Sequence, residues 1–197
     1  MNDHYKRILA KVYISNLGKI RIKREPGEGA IIKRLIDEGY LKSSNGSVYL
    51  TPLGRSMIKV AFTGGVFDVI HPGHIHTLKT AKSKGDVLVV SVARQANVLR
   101  FKNKIPIHDE KLRLELVQSV KFVDLAILGD EKDIMKTVEL IKPDIIVLGY
   151  DQSHREEDLV SEGQKRGLKF EVKRLTTPHP HIKTRNIIAD PKRLDIF

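Results

Sequence analysis

Two imidazoles three residues apart, His71 and His74, enclose Pro72 and Gly73 and follow a glycine pair, Gly64-Gly65. Residues without a side chain let a phosphate come close to the backbone. The apolar run Ile58 to Phe62, bounded by glycines, reads as a buried strand. Behind the histidines, Ile75, Leu78 and Ala81 recur at helical spacing. The pair therefore stands where a helix begins, with backbone N–H groups unpaired and the positive end of the dipole exposed. That position favours an anion, and two imidazoles there can face one phosphate. A metal reading of the pair is weaker. Zinc wants a third and fourth ligand, and the chain has no cysteine to supply thiolates.

The rest of the chain supplies a scaffold for such a site. From Ile58 onward, strands and helices alternate. The spacing predicts a helix from Ile75, a strand over Val87 to Val92, a helix over Asp109 to Val120 and a strand over Phe122 to Leu128. It then predicts a helix over Glu131 to Ile141, a strand over Pro143 to Leu148, a helix over Glu156 to Arg166 and a strand over Leu168 to Leu175. Thr184 to Ala189 reads as a short closing helix, and Arg94 to Pro106 as a polar, basic loop. Such alternation implies an α/β fold with a doubly wound parallel sheet. Ligands bind these sheets at the carboxyl ends of the strands, where His71, Arg94, Gly149 and the loop after Leu175 all fall.

The stretch Phe62-Thr63-Gly64-Gly65-Val66-Phe67-Asp68 through His71-Pro72-Gly73-His74 resembles the H-x-G-H signature of the nucleotidyltransferase superfamily, in its cytidylyltransferase-like branch. The resemblance spans about residues 59–190. It implies a Rossmann-like fold and attack of a substrate phosphate on a nucleoside triphosphate, with release of pyrophosphate. The order of segments, from the Lys-rich loop ending at Pro106-Ile107 to Lys142-Pro143-Asp144, is most similar to the archaeal FAD synthases, which implies ATP and FMN as substrates. A cytidylyltransferase using CTP and glycerol 3-phosphate or a similar phosphorylated alcohol is the alternative.

By this resemblance His71, His74, Lys104 and Arg113 would be catalytic. Thr63, Gly64, Gly65, Val66, Phe67, Gly149, Asp151, Thr184 and Arg185 would join the two histidines around the nucleotide. Asp68, Arg94 and Lys102, with Arg113, would face the acceptor. Asp68 has a second reading, as a carboxylate that holds its turn by accepting backbone N–H groups. Val66 stands where many relatives have Thr, and Thr184 is a single hydroxyl where relatives often have two or more. Phe67, Phe101 and Tyr150 are the aromatic candidates for stacking on a flavin. Mg2+ is expected to travel with the triphosphate, held mainly by phosphates and waters; Asp68 is a candidate outer-sphere ligand, and no side chain is assigned to bind the ion directly.

Residues 1–57 read separately. Tyr5 to Leu17 and Gly27 to Leu41 are amphipathic helices, Asn45-Gly46 is a strong hairpin dipeptide, and Val48 to Thr51 is a short strand. Helix, stop, hairpin and a Leu-Thr-Pro-Leu-Gly ending resemble a winged helix-turn-helix domain. The boundary is expected at 57/58, with a second domain over 58–197 whose sheet is complete without the first. The chain carries 35 Lys and Arg against 24 Asp and Glu, a net charge of +11. Residues 1–58 hold eleven Lys and Arg against five Asp and Glu, the part denser in positive charge. DNA binding through residues 1–57 and homodimerisation through them are both open readings. A DNA-binding regulator that senses a nucleotide without turnover is a further alternative. The longest apolar runs are strand-length, far short of a membrane span, and the first residues lead into no apolar signal region. The expectation is a cytoplasmic protein without a membrane partner.

Overall fold

The computed structural model describes residues 3–21, 25–103 and 105–189, apart from the side chains of Lys102 and Arg185. The first part runs α1 (Asp3–Gly18), α2 (Glu28–Asp37), β1 (Leu41–Ser44), β2 (Ser47–Leu50) and α3 (Pro52–Ser56). Asn45 and Gly46 both sit at positive φ between β1 and β2 and close an antiparallel hairpin. α2 stops at Asp37, short of the predicted Leu41. Gly39 at φ +79° turns the chain into β1, a conformation that favours glycine.

The second part continues β3 (Val60–Gly65), α4 (Pro72–Lys82), β4 (Val87–Val92), α5 (Gln95–Lys102) and α6 (Glu110–Gln118). It closes with β5 (Leu125–Leu128), α7 (Ile134–Ile141), β6 (Ile145–Leu148), α8 (Glu156–Lys165), β7 (Glu171–Arg174) and α9 (Thr184–Ala189). The strands form one parallel sheet in the order β5-β4-β3-β6-β7, the doubly wound arrangement with its switch between β4 and β6 on either side of β3. Every residue of β4 is buried, as expected for a parallel strand covered on both faces.

Successive strand residues point to opposite faces. Ala61, Leu88, Val90 and Val147 pack with Leu78 and Ala81 of α4 and Val117 of α6. Phe62, Val87, Val89 and Ile146 pack with Met135, Val138 and Ile141 of α7 and Leu159 of α8. The same second cluster contains Ile8, Leu9, Val12 and Tyr13 of α1, with Leu35 and Leu41. So α1 is one of the helices that cover the sheet. Tyr13 Oη donates 2.8 Å to the Ile141 carbonyl, and Arg55 reaches the Lys142 carbonyl and Asp144. The sheet is complete in its strands without residues 1–57, but its cover is not.

The predicted loop after β4 contains helix α5. Val98 is its buried anchor, Asn97 donates to the Asp130 carbonyl, and Arg94 with Glu110 holds its start. Long-range contacts thus stabilise a helix that a basic composition conceals. Among the elements that begin later than predicted, β5, α7 and β7 are displaced by acidic residues and turns. Asp124 accepts Leu88 N–H before β5, Asp133 caps α7, and Gly167 at φ +69° precedes β7.

Candidate functional site

β3 ends in Gly64-Gly65, and after the six residues Val66 to His71, α4 begins with Pro72 as its first helical residue. His71 is the N-cap residue, in extended backbone with no side-chain capping bond, and the first turn carries no carboxylate. His74 lies in that turn. The two rings stack with centroids 3.8 Å apart and planes 22° from parallel. Gly73 makes this possible: a Cβ there would come within 3.1 Å of the His71 ring. Burial pushes the His71 imidazole below its ordinary pKa, and the nearby Asp151 charge only partly opposes this. A neutral, half-buried imidazole beside a bare helix N-terminus is a donor site for an oxyanion.

Phe67 adopts φ +53°, unusual for a side chain this large. Its buried ring packs 5.2 Å from His74 and against Gly65, where a Cβ would come within 2.9 Å of it. Phe67 therefore supports the histidines from behind, and its ring is not an open platform for stacking. Phe101 is 73% exposed, with the Arg100 guanidinium 4.4 Å from its centroid.

Arg113 is fully buried on α6. Its Nε donates to the His108 carbonyl, and its Nη1 to the carbonyls of Val66 and Ala93. One guanidinium joins the glycine turn, the end of β4 and the loop before α6. Burial lowers its pKa from the usual arginine value. Among the described residues its buried Nη2 has no hydrogen-bond partner, a donor that costs stability unless a ligand or water takes it.

Several predicted residues have other work. Both Asp68 oxygens accept backbone N–H groups, from Ile107 and His108 at 3.0 Å, and His108 Nδ1 lies 2.7 Å from the Asp68 carbonyl. This matches its second reading, the holding of a turn, and commits both carboxylate oxygens to the backbone of the loop before α6. Arg94 is taken up by the Gly129 carbonyl and Glu110. Thr63 is buried and donates to the Val147 carbonyl. Val66 offers its carbonyl to Arg113. Lys104 lies outside the described residues, as do the side chains of Lys102 and Arg185.

The loop after β6 closes the other side. Gly149 and Asp151 flank Tyr150, whose hydroxyl donates to the Pro180 carbonyl. Lys183 lies 3.6 Å from Asp151 and 5.2 Å from the Tyr150 centroid. These contacts strap the segment that opens α9 at Thr184 to this loop, and they bring the Ile182 carbonyl beside Gly73. Two residues absent from the predicted set organise the loop. Gln152 donates to the Gly64 carbonyl at 2.5 Å. Arg174 donates to the carbonyls of Gly149, Gln152 and His154. Gln152 sits in the same short stretch as Gly149 and Asp151, whereas nothing local marks Arg174.

A parallel doubly wound sheet with stacked imidazoles at the mouth of its first crossover helix is the architecture of a nucleotide-handling enzyme. Residues 62–190 match the family described as cytidylyltransferase-like, and the chain belongs to that family. Within it, the chain is similar to the FAD synthases of Aciduliprofundum boonei (51% identical over 60% of this chain and 78% of the relative) and Ferroglobus placidus (56% over 60% and 76%). It also resembles the crystal structure of the lipopolysaccharide core biosynthesis protein from Thermoplasma volcanium GSS1. That likeness has a TM-score of 0.59 and 49% identity, and it covers 61% of this chain and 98% of that one. The family match begins at Phe62, inside β3, so α1 to α3 lie outside it.

Proposed function

We propose that the protein is an FMN adenylyltransferase: it joins the AMP of ATP to the phosphate of FMN, forming FAD and releasing pyrophosphate. The observation that carries this reading is about 50% identity to archaeal FAD synthases across the segment that holds the histidine pair.

The chemistry asks for little proton transfer, because the attacking FMN phosphate is already an oxyanion. It asks for two polyanions held in line and for donors aimed at charge growing on the α-phosphoryl oxygens. The first turn of α4 supplies backbone N–H groups, and His71 and His74 supply ring donors on the same side. Arg113 acts as a positioning residue for the glycine turn and keeps Nη2 for a phosphate oxygen. Lys183, held beside Asp151 and Tyr150, and Thr184, the first residue of α9, serve the outer phosphates. Mg2+ enters with the triphosphate as part of the substrate. Among the described residues no three His, Asp or Glu side chains converge as a cage for it.

The reading for residues 1–57 changes with the structure. Arg7 and Lys11 pair with Glu25 and Glu28, Arg34 with Glu38, and Arg55 with Asp144. These cations serve the chain itself, so we infer that the segment's first role is to cover the sheet. No helix among the described residues is long and apolar enough to cross a membrane.

The test is a grid of ATP and CTP against FMN and glycerol 3-phosphate, read by pyrophosphate release and by chromatography of the product. FAD from ATP and FMN alone is the expected result. Turnover only with CTP and glycerol 3-phosphate would move the protein to the alternative substrates. Absence of turnover with every pair would remove the enzyme reading.

A further inference from the structure

The loop between α5 and α6 brings His108 against the turn that carries the histidine pair, and three bonds fix it there. Its backbone N–H donates 3.0 Å to Asp68 Oδ1, and its carbonyl accepts from Arg113 Nε at 3.0 Å. Its ring Nδ1 lies 2.7 Å from the Asp68 carbonyl oxygen. The Asp68 carboxylate, 3.5 Å from Nδ1, is already engaged by the N–H groups of Ile107 and His108. A carbonyl oxygen only accepts, so Nδ1 carries the hydrogen, and the neutral ring leaves Nε2 as an acceptor. Among the described residues no hydrogen bond reaches Nε2, and the side chain is 38% exposed. The guanidinium that holds the His108 carbonyl is also the one whose fully buried Nη2 has no partner among the described residues.

These two free atoms have opposite polarity. Arg113 Nη2 is a donor and suits a phosphate oxygen, whereas His108 Nε2 is an acceptor and suits a hydroxyl. Their place at the sheet edge suits an incoming substrate. β3 has β4 on one side and β6 on the other. Lys183, given above to the outer phosphates, is held by the loop after β6. Arg113 donates to the carbonyl of Ala93, just past the end of β4, so it and His108 stand on the β4 side. Phosphoryl transfer keeps the attacking and leaving oxygens roughly in line across the phosphorus. With pyrophosphate leaving toward β6, the attacking phosphate arrives from β4. FMN has ribityl hydroxyls beginning one carbon beyond the carbon that bears its phosphate.

We propose that His108 is an acceptor-binding residue that reads a hydroxyl beside the phosphate: Nε2 accepts from a ribityl O–H of FMN while Arg113 Nη2 donates to the phosphate. The assignment rests on the FMN adenylyltransferase reading. It adds a selection for a phosphorylated polyol over a plain phosphate ester.

The test compares FMN with the flavin phosphate whose chain is a hydroxyl-free pentyl group, in steady-state kinetics with ATP. The wild type should prefer FMN at least about 10-fold in kcat/KM, the scale of one hydrogen bond. His108→Asn keeps a side-chain N–H for the Asp68 carbonyl but has no atom in the place of Nε2. It should cut that preference about 5- to 10-fold, while the KM for ATP stays within about two-fold and the melting temperature stays near that of the wild type. His108→Gln, whose longer side chain brings an amide oxygen toward the place of Nε2, should keep more of the preference. A wild type that treats the two flavins alike overturns the proposal, and so does a His108→Asn variant that keeps the full preference. Equal losses on both flavins, with a raised KM for ATP, would also overturn it, since they mark a loop support alone. Should the wild type use only CTP and glycerol 3-phosphate, the FMN reading fails. The same comparison between glycerol 3-phosphate and propyl phosphate then decides the role of His108. A wild type inert with every pair ends both readings.

Discussion

Arg113 Nη1 donates 2.7 Å to the carbonyl of Val66, across 47 residues of sequence. A helix on one side of the sheet therefore holds the turn that delivers His71 to the mouth of α4. Replacing Arg113 with Ala removes a fully buried side chain and the donors to three part-buried carbonyls. The expected loss is about 3–5 kcal/mol of stability, the cost of breaking up a buried charged network. Arg113→Lys should recover little of it, since a point charge cannot span three acceptors. Urea unfolding of both variants checks this, and full rescue by Lys would contradict it.

His74→Ala and His71→Ala should each lower turnover about 100- to 1,000-fold, the scale of losing a donor to a developing oxyanion. Melting temperatures should shift far less, because both side chains sit at the rim of the core. Unchanged turnover in either variant would take that ring out of the chemistry.

The depressed pKa of His71 has a sign that can be tested. Above the ordinary histidine value of 6.5 the ring is neutral folded and unfolded, and contributes no pH dependence. Below it the unfolded chain takes up a proton that the folded site resists, so stability falls as pH falls. Unfolding free energy measured from pH 7.5 to 5 should decline less steeply in His71→Gln than in the wild type. Equal slopes would mean the ring is not held neutral.

Leu9 is fully buried in the same cluster as Phe62 and Val89. Leu9→Ala should cost about 2–5 kcal/mol and shift one unfolding transition for the whole chain. Removal of residues 1–57 should leave an insoluble or unfolded remainder, against the expectation of a self-sufficient second domain. Two separate transitions, or a folded and active truncated chain, would show that the shared core is dispensable.

Gln152→Leu preserves side-chain volume but releases the loop after β6 from the Gly64 carbonyl. The expected result is a 3- to 10-fold rise in KM for the nucleotide with kcat changed less, since positioning rather than chemistry is lost. Steady-state kinetics decides, and a KM unchanged with kcat lowered would instead put Gln152 at the reacting atoms.

The chain order of strands and helices was open to reading because each burial pattern is local. Continuous apolar runs such as Val87 to Val92 and the helical spacing of Ile75, Leu78 and Ala81 need no distant partner to be recognised. The glycine turn and the histidines at a helix start were legible for the same reason: dipole, unpaired N–H groups and absent side chains all belong to consecutive residues. Helix α5 was not legible, because Val98, Asn97 and Arg94 gain their value only from Asp130, Gly129 and Glu110.

The same division separates the reaction class from the assignment of individual residues. Residue types and spacing along the chain determined that a glycine turn and two imidazoles open the first crossover helix of a parallel sheet. Only the folded chain decided which polar groups are left for a ligand. A carboxylate such as Asp68 or a guanidinium such as Arg94 or Arg113 bonds to whichever backbone groups folding brings within about 3 Å, and those groups come from distant segments. Residues 1–57 show this most plainly. Their charge and helical pattern describe a separate basic module, yet the apolar side of α1 found its partner in the sheet.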